Sequence, residues 1–468
     1  MNIGSEMQEI SSNNKRIAKN TLLLYFRMLV TMAVSLYTSR VVLNILGVED
    51  FGIYNVVGGI VAMFGFINGS MTSATQRYLT FELGQNNRAQ LTKVFSTSLS
   101  IHGIISFLII VLAETVGLWF LWNKMQIPAD RMNAAFWVFQ CSVAASVIMI
   151  MSVPYNAAII AHERMSAFAY ISIIEVSLKL LIVCFLRYFH TDKLILYAVL
   201  IVIVQFLIRL CYSWYCNRHF NETKYRWSWD KGLFKEMTGF ASWNMFGSLA
   251  AITFTQGLNL LLNMFFGPVV NAARGIAVQA QTAIGQFSSN FQTALNPQIT
   301  KSYATGDMEY MHGLIFRSAK FSFFLLLLLS LPVLIETKAI LTLWLKIVPD
   351  HTVVFLRIML CTTWVYAVSN PLITAASATG KIKLYQSVVG GLLLLILPIS
   401  YLCLRFGLPA YSVFIVHLVI EITAQFARLL MLKRMIKLSL REYFSKVVWC
   451  IFLSLIHISE PTRPRLIS

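Results

Sequence analysis

The sequence contains few charged residues. Asp, Glu, Lys and Arg together make up 12% of its 468 residues, whereas a typical soluble domain has about 25%. So few charges cannot cover a water-facing surface, which excludes an ordinary soluble globular protein. Disorder is excluded as well, because disordered chains combine low hydrophobicity with high net charge. The hydrophobic content of 57% and the mean hydropathy of +0.68 instead indicate a polytopic membrane protein.

Catalytic and metal-binding motifs are also missing. The sequence has no HExxH, no GxSxG, no P-loop and no Cys/His cluster, although each would be expected of the enzyme class that it defines. The seven cysteines lie in or beside apolar segments without metal-ligand spacing, which favours small buried hydrophobic side chains. We therefore expect no enzyme, no catalytic residues and no metal site.

Twelve long apolar segments predict twelve transmembrane helices, because a span needs about 20 mainly apolar residues. The predicted spans 1–12 cover residues 20–46, 52–76, 95–122, 134–161, 165–189, 194–216, 237–266, 270–298, 314–335, 351–378, 384–404 and 409–432. The predicted domains are a cytoplasmic N-terminus (1–19), an N-lobe (20–216), a cytoplasmic linker (217–236) and a C-lobe (237–432). A cytoplasmic loop with the start of a thirteenth helix (433–453) follows.

The basic residues are distributed unevenly between the predicted loops. With the N-terminus inside, the cytoplasmic segments hold most of the Lys and Arg residues behind the net charge of +18. Such a bias orients membrane proteins with their basic loops in the cytoplasm. We therefore expect a multi-pass membrane protein with a cytoplasmic N-terminus. Because topology explains the charge, no nucleic acid is needed as a partner.

The two halves of the chain resemble each other. Several features recur in the same order and at a nearly constant offset along the chain: VLAET at Val111–Thr115 and VLIET at Val333–Thr337, Trp122 and Trp344, Pro154 and Pro371, Asn44 with Gly47 and Asn263 with Gly267. Because six spans are an even number, both copies enter the membrane in the same direction. The sequence thus predicts an all-α protein of two parallel six-helix repeats, typical of a secondary transporter with a cleft between two lobes.

Span 8 carries the most polar face. One helix face holds residues at a three-to-four residue spacing: Asn271, Arg274, Val278, Gln281, Gly285, Ser288 and Gln292. This face either lines a wet cavity or bonds to neighbouring helices. Span 7 adds Asn259 and Asn263. In span 2 a stripe of small residues indicates close helix packing or, alternatively, substrate contact.

Charges within spans are mainly basic. Arg27 and Arg40 lie in span 1 and Arg274 in span 8, while all six aspartates lie in predicted loops. A guanidinium binds oxyanions bidentately, which favours an anionic substrate such as a lipid diphosphate. Alternatively, these arginines bond backbone carbonyls and hold the lobes together.

The remaining intramembrane charges have predicted partners or positions. Glu175 and Lys179 are spaced for a helical ion pair. Arg209 and Arg428 lie near cytoplasmic ends of their spans, where long side chains snorkel towards water. Glu421 is a candidate proton or cation carrier, or it pairs with Arg428 seven residues later.

Two segments carry a family resemblance. The first repeat contains NTLLLYFRMLVTMAVSLYTSRVVLNILGVEDFGIYNVVGGI and TSATQRYLTFELGQ, and the second contains VVNAARGIAVQAQTAIGQFSSNFQTALNPQITKSYATGD. Over residues 15–450 the chain resembles the bacterial flippases for O-antigen and capsule repeat units, a family grouped with MATE drug exporters and lipid II flippases.

The resemblance implies that the chain flips an undecaprenyl-diphosphate-linked oligosaccharide across the cytoplasmic membrane, for surface polysaccharide and lipopolysaccharide biosynthesis. By position, the diphosphate would bind Arg27, Arg40 and Arg274. The sugars would meet Asn259, Asn263, Asn271 and Gln281. A MATE-type antiporter of drugs or cations is the alternative, and a scaffold or polymerase-like enzyme of the same pathway ranks last, because all predicted external loops are short.

The resemblance also sets expectations for cofactors and partners. No cofactor is expected, although a sodium ion or a proton could be coupled at a site that the residues do not indicate. Lipid-linked oligosaccharide and membrane lipid are the expected partners, a polysaccharide polymerase complex is a further candidate, and we expect a monomer.

The C-terminus departs from the family, whose members often have fourteen helices. VVWCIFLSLI begins a thirteenth helix, but its apolar run is too short to span a bilayer. The following HISEPTRPRLIS has no membrane pattern. We therefore expect residues 454–468 to be a non-native tail on a truncated gene.

Overall fold

The structure, a computed structural model, describes residues 3–62, 65–123, 127–186, 188–189, 191–224, 230–345 and 348–459. Some side chains within its helices lie outside the description, among them those of Arg40, Asn55, Asn263 and Asn271. The described chain consists of α-helices joined by short connections. They are α1 (Ile3–Ala62), α2 (Gly65–Gly84), α3 (Arg88–Leu112), α4 (Leu118–Asn123), α5 (Met132–Ala161), α6 (Met165–Leu186), α7 (Lys193–His219), α8 (Lys231–Thr305), α9 (Met308–Ile335), α10 (Thr337–Leu345), α11 (Thr352–Ala378), α12 (Lys383–Leu394), α13 (Ile396–Arg405), α14 (Ser412–Met435), α15 (Leu440–Tyr443) and α16 (Trp449–Ser459).

Helix starts follow local sequence signals. The side chain of Asp192 accepts hydrogen bonds from the backbone N–H groups of Leu194 and Ile195, and thereby caps α7. Asp307 caps α9 in the same way, and Asn87 caps α3. These side chains satisfy backbone donors that the first helical turn leaves unpaired. Short capped connections explain how so many helices follow one another with few intervening residues.

Ten segments of the described chain are long and apolar enough to cross a membrane. Predicted spans 2 and 8 are not among them, although both are helical along α1, α2 and α8. In span 8 the polar side chains lower the hydropathy, as expected of a helix whose face meets protein or water rather than lipid. Span 2 includes residues 63–64, which lie outside the description. The chain is a multi-pass membrane protein, and its all-α class agrees with the prediction.

Two glycines interrupt the longest helices at equivalent places. Gly47 in α1 has φ 79° and ψ 170°, and Gly267 in α8 has φ 77° and ψ −171°. This backbone region is essentially reserved for glycine. Each glycine therefore ends one predicted span and begins the next, in the first repeat and again in the second.

The chain divides into two compact units, Met1–Met245 and Phe246–Ser468. In unit 1, α5 packs against α7 and α3; in unit 2, α11 packs against α14 and α9. These helices correspond under the repeat, and Pro154 and Pro371 lie inside the corresponding helices α5 and α11. The boundary between the two units falls within α8, after Met245. The predicted lobes instead meet at the linker 217–236, and these lobe boundaries stay a prediction.

Each unit has its own apolar core. Val138, Phe139 and Leu121 are fully buried in unit 1. In unit 2, Phe355 packs on Phe414 with ring centroids 4.6 Å apart. Apolar contact stabilises helix association in a membrane mainly through close packing.

The predicted thirteenth helix begins with α15. From Leu440, α15 leads through a π-helical turn (Phe444–Val448) into α16, which ends at Ser459. Tyr443 and Val447 are completely buried, and the Tyr443 ring lies 5.9 Å from that of Phe316 in α9. The segment therefore packs on unit 2 through its first two turns. The rest of the predicted tail, residues 460–468, lies outside the described residues.

Candidate functional site

Unit 2 contains a cavity of about 410 Å³. Three helices supply most of its wall: the second half of α8, the middle of α11 and one face of α14. The lining residues are Ala251, Phe254, Gln281, Thr282, Gly285, Gln286, Ser288, Ser289, Gln292, Leu326, Thr362, Thr363, Tyr366, Ala367, Leu393, His417, Glu421 and Arg428. We call this space the unit 2 cavity.

The polar face of span 8 lines the unit 2 cavity. Gln281, Gly285, Ser288 and Gln292 recur every three or four residues along α8 and all four border the cavity. Their neighbours Thr282, Gln286 and Ser289 also border it and are exposed. The sequence predicted either a cavity wall or hydrogen bonding to neighbouring helices for this face. The structure shows that the face forms part of a cavity wall.

The other alternative, hydrogen bonding to neighbouring helices, also describes part of this face. The amide nitrogen of Gln281 donates to the backbone oxygen of Met359 (3.1 Å) and to the hydroxyl of Thr363 (2.8 Å). The amide nitrogen of Gln292 donates to Ser322 (3.0 Å) and to the backbone oxygen of Ala367 (2.9 Å). These bonds hold α8 against α9 and α11 while the same residues face the cavity.

A charge pair lies in the wall of the unit 2 cavity. The guanidinium of Arg428 donates to the carboxylate of Glu421 over 2.7 Å, and the two residues are only 2% and 4% exposed. The same nitrogen of Arg428 donates to the hydroxyl of Ser369 (3.1 Å). Seven residues make two helical turns, so both side chains lie on one face of α14. The predicted pairing is confirmed, and the expectation that Arg428 snorkels to water is wrong.

Further polar groups extend this charge pair. The hydroxyl of Ser369 donates to the amide oxygen of Gln425 over 2.6 Å, and the amide nitrogen of Gln425 donates to the hydroxyl of Tyr443 over 3.2 Å. Sequence reasoning did not single out Ser369, Gln425 or the cavity residue His417. A signal was available, because positions 417, 421, 425 and 428 follow one face of a helix.

Arg274 and Asn259, two predicted substrate-binding residues, contact each other. The guanidinium of Arg274 donates to the amide oxygen of Asn259 (3.2 Å) and to the backbone oxygen of Thr255 (2.8 Å). Arg274 is buried. These bonds join the parts of α8 before and after Gly267. One of them goes to a backbone carbonyl, but both partners lie in the same predicted lobe, so the predicted role of holding the lobes together stays a prediction. Substrate binding by both residues stays a prediction.

Arg27 lies in unit 1, beside aromatic side chains of α6 and α7. Its guanidinium carbon is 4.6 Å from the ring centroid of Phe168, and Tyr212 interacts with it electrostatically. The predicted pair of Lys179 with Glu175 is confirmed, with 2.6 Å between ammonium and carboxylate. The side chains of Arg40, Asn263 and Asn271 lie outside the described residues, so their predicted roles stay predictions.

At the connection that follows α5, His162 pairs with Glu222. Their side chains are 2.5 Å apart, and the His162 ring stacks on Phe220 with centroids 4.0 Å apart. Burial opposes ionisation of Glu222, but the hydrogen bond from His162 and further polar contacts outweigh it and lower the pKa of this carboxyl. The pair fastens the Asn221–Thr223 turn to α5.

Within the part of the chain that the structure describes, no group of three or more His, Cys, Asp or Glu side chains could hold a metal ion. The unit 2 cavity has one carboxylate among its described lining residues, Glu421, which its neighbour Arg428 already contacts. Its chemistry is that of neutral amides and hydroxyls around one charge pair.

The fold is that of MATE-type membrane transporters. A MATE transporter in the bent conformation superimposes with a TM-score of 0.80 at 12% identity, over 91% of this chain and 96% of that one. An outward-facing multidrug resistance MATE family transporter of the MOP superfamily gives 0.79 at 12% identity, over 91% and 96%. A MOP superfamily transporter from Pyrococcus furiosus, described as having a binding pocket of reverse polarity, gives 0.77 at 13% identity, over 91% and 96%.

The sequence profile of the polysaccharide biosynthesis protein family matches residues 17–303. Since this is more than half of the chain, the protein belongs to that family. No curated protein matches the chain significantly by sequence.

Proposed function

We propose that the protein flips an undecaprenyl-diphosphate-linked oligosaccharide from the cytoplasmic to the outer leaflet of the bacterial cytoplasmic membrane, for surface polysaccharide or lipopolysaccharide biosynthesis. The observation that carries the proposal is family membership over residues 17–303 on a transporter fold. Such a substrate joins a neutral polar sugar chain, a charged diphosphate and an apolar tail, and each part needs a different kind of surface.

The sugar chain would meet neutral hydrogen-bonding groups. Gln281, Thr282, Gln286 and Ser289 place amides and hydroxyls at the wall of the unit 2 cavity, and Asn259, Asn263 and Asn271 belong to the same predicted surface of spans 7 and 8. Amides and hydroxyls suit sugars because each group can donate and accept. They cost less to bury than charges do when the sugar leaves.

The diphosphate would bind to guanidinium groups. Arg27, Arg40 and Arg274 lie within predicted spans, and a guanidinium presents paired donors to phosphate oxygens. The present contacts of Arg274 with Asn259 and Thr255 would have to exchange with the phosphate oxygens during translocation. The lipid tail would stay in the bilayer, which removes the need for an apolar pocket of its size.

Complementation of a deletion strain tests this proposal. Arg27→Ala and Arg274→Ala are each expected to abolish surface glycan while the protein level in the membrane stays unchanged. Arg405→Ala is the matched control, since this exposed arginine ends α13 and lies outside the predicted site. Normal surface glycan in both test variants would reject the role assigned to these arginines.

A MATE-type exporter of small, often cationic compounds is the second candidate. The structural similarity to MATE transporters and the carboxylate of Glu421 in the unit 2 cavity favour it. Drug resistance on overexpression, combined with intact surface glycan in the deletion strain, would support this alternative. Coupling to sodium or to protons is proposed for either function.

A further inference from the structure

The charge pair in the unit 2 cavity has donor capacity that no described residue uses. Nη1 of Arg428 donates to Glu421 and to Ser369. Tyr385 of α12 also interacts with the guanidinium. The buried Nε–H of Arg428 has no hydrogen-bond partner in the described chain, and neither has the buried hydroxyl of Ser288 on α8. Both residues line the cavity. Buried donors of this kind are normally satisfied, so the cavity is prepared for a ligand that brings acceptor oxygens.

Charge balance limits which ligand can enter. Among the described residues that line the cavity, Glu421 and Arg428 carry opposite full charges, and most of the other lining residues are neutral amides, hydroxyls and apolar groups. An additional buried charge is expensive unless it is compensated. An anion that binds Arg428 while Glu421 stays ionised would leave one negative charge too many. If Glu421 takes up a proton, the anion replaces the carboxylate as the partner of Arg428 and the net charge stays zero.

We propose that the unit 2 cavity binds a singly charged oxyanion of the phosphate-diester class together with one proton, which Glu421 accepts. The proton comes from solution and forms an O–H bond on the Glu421 carboxylate. The ion pair between Arg428 and Glu421 breaks, and a new pair forms between Arg428 and the oxyanion. No electron is transferred and no other covalent bond changes. Arg428 is not among the arginines assigned to the lipid diphosphate, although the cavity includes Gln281, which is assigned to the sugar chain. The test does not use that lipid.

Other titratable groups lie near Glu421 and could accept the proton in its place. His417 lies one turn earlier on α14 and interacts electrostatically with both Glu421 and Arg274. Tyr366 of α11 and Tyr385 of α12 also interact with Glu421. The phenols are ordinarily neutral near pH 7, so His417 is the competing proton acceptor that the experiment must separate from Glu421.

The mouth of the cavity allows a small oxyanion to approach. Thr282, Gln286 and Ser289 are exposed on α8, whereas Glu421 and Arg428 are almost completely buried. The cavity volume of about 410 Å³ exceeds that of a phosphate diester with short substituents. The charged end of the ligand would therefore lie at Arg428 and its substituents among the amides of α8.

Binding of dimethyl phosphate to the full chain in maltoside micelles tests the proposal, because this diester keeps one negative charge throughout the range used. For the wild type we expect affinity to be about tenfold higher at pH 6 than at pH 7, with about one proton taken up per anion bound. Calorimetry in two buffers of different ionisation enthalpy counts the protons. Binding without proton uptake, or no binding at either pH, would overturn the proposal.

Three variants identify which side chain accepts the proton and which one binds the anion. Glu421→Gln should bind dimethyl phosphate equally at both pH values and without proton uptake. The double variant E421Q/R428Q, which keeps a neutral hydrogen-bonding pair, should lose binding. His417→Asn should keep the pH dependence, and loss of the dependence in this variant would overturn the assignment to Glu421. Glu442→Gln is the control, because Glu442 forms an exposed ion pair with Lys446 and should behave like the wild type.

The source of the diester is settled in a separate comparison. In nanodiscs of phosphatidylcholine that also contain phosphatidylglycerol, a lipid-headgroup ligand would compete with dimethyl phosphate and weaken its apparent binding severalfold. A soluble phosphate ester as the natural ligand predicts unchanged binding. Either result supports the site and identifies which diester reaches it.

Discussion

Equivalent arginines in the two units have different partners. Arg209 and Arg428 occupy corresponding positions in the two repeats, and each reaches the proline-containing helix of its own unit. In unit 1, Arg209 donates to the backbone oxygen of Met151 and lies 5.5 Å from the ring centroid of Tyr155. In unit 2, Arg428 donates to the hydroxyl of Ser369. When Pro154 is aligned with Pro371, Ser369 corresponds to Ser152, the residue after Met151.

The difference lies in a single carboxylate. When the two arginines are aligned, Glu421 corresponds to Val202, so unit 1 has an apolar residue where unit 2 has an acid. The repeat thus preserves the arginine and its position, whereas the acid of unit 2 converts it into a charge pair in a cavity wall. The two repeats therefore share the position of the arginine, whereas only the second repeat has the acidic partner seven residues before it.

Removing the carboxylate is expected to have the largest effect on stability. Glu421→Ala leaves the buried Arg428 without its counter-charge, which should destabilise the protein by about 3–5 kcal/mol. Thermal unfolding of the purified protein measures the change. The double variant E421L/R428M should recover most of the loss, since apolar replacement of both partners removes the buried charges. An unchanged melting temperature for Glu421→Ala would contradict the pairing.

The equivalent arginine of unit 1 should matter less. Arg209→Met removes one hydrogen bond from a charged donor and one contact with an aromatic ring, and should cost about 2 kcal/mol. The same unfolding measurement checks the ranking. If Arg209→Met proved as harmful as Glu421→Ala, the contrast between the two units would be lost.

The glycine joints should respond alike in both repeats. At Gly47 and Gly267 the positive φ strains any other residue, so Gly47→Ala and Gly267→Ala should each cost about 1–2 kcal/mol. Gly103 lies in α3 where an added Cβ meets nothing within 4 Å, and Gly103→Ala should be neutral or slightly stabilising. Unequal costs at the two joints would show that the repeats differ in backbone as well as in charge.

The smallest effect is expected at the His162–Glu222 pair. Because the pKa of Glu222 is lowered in the folded protein, its stabilisation is fully present above the ordinary carboxyl range and is lost as the pH falls through the folded pKa. Glu222→Gln should therefore cost about 0.5 kcal/mol near neutral pH. Melting curves from pH 7 down to pH 3 should converge with those of the wild type at the acid end. A constant difference across this range would exclude the ionised carboxylate as the cause.

Much of the fold could be predicted because the membrane restricts the possible structures. Backbone groups must be paired inside the bilayer, so long apolar segments become helices, and the recurring glycines and prolines indicated the repeat. The Gly47 and Gly267 joints have almost the same backbone angles. Tertiary partners were harder to predict, because Arg274 bonds to residues 15 and 19 positions earlier across a joint.

Part of the candidate site could be predicted from the sequence and part could not. A helical face can be identified from spacing, and the polar face of span 8 does line a cavity. Burial cannot be identified from spacing, since it depends on which helices pack around the residue. Arg428 was expected in water because of its position near a span end, yet Ser369 of α11 and Glu421 enclose it.

Lipid flipping by the purified protein tests the proposed function most directly. The protein is reconstituted into liposomes that contain a fluorescent polyprenyl-diphosphate-linked oligosaccharide, and a membrane-impermeant quencher reports which leaflet holds the lipid. Wild-type protein should move the lipid between leaflets much faster than empty liposomes do, and Arg27→Ala and Arg274→Ala should remove this difference. A wild-type rate equal to that of empty liposomes would contradict the proposed function.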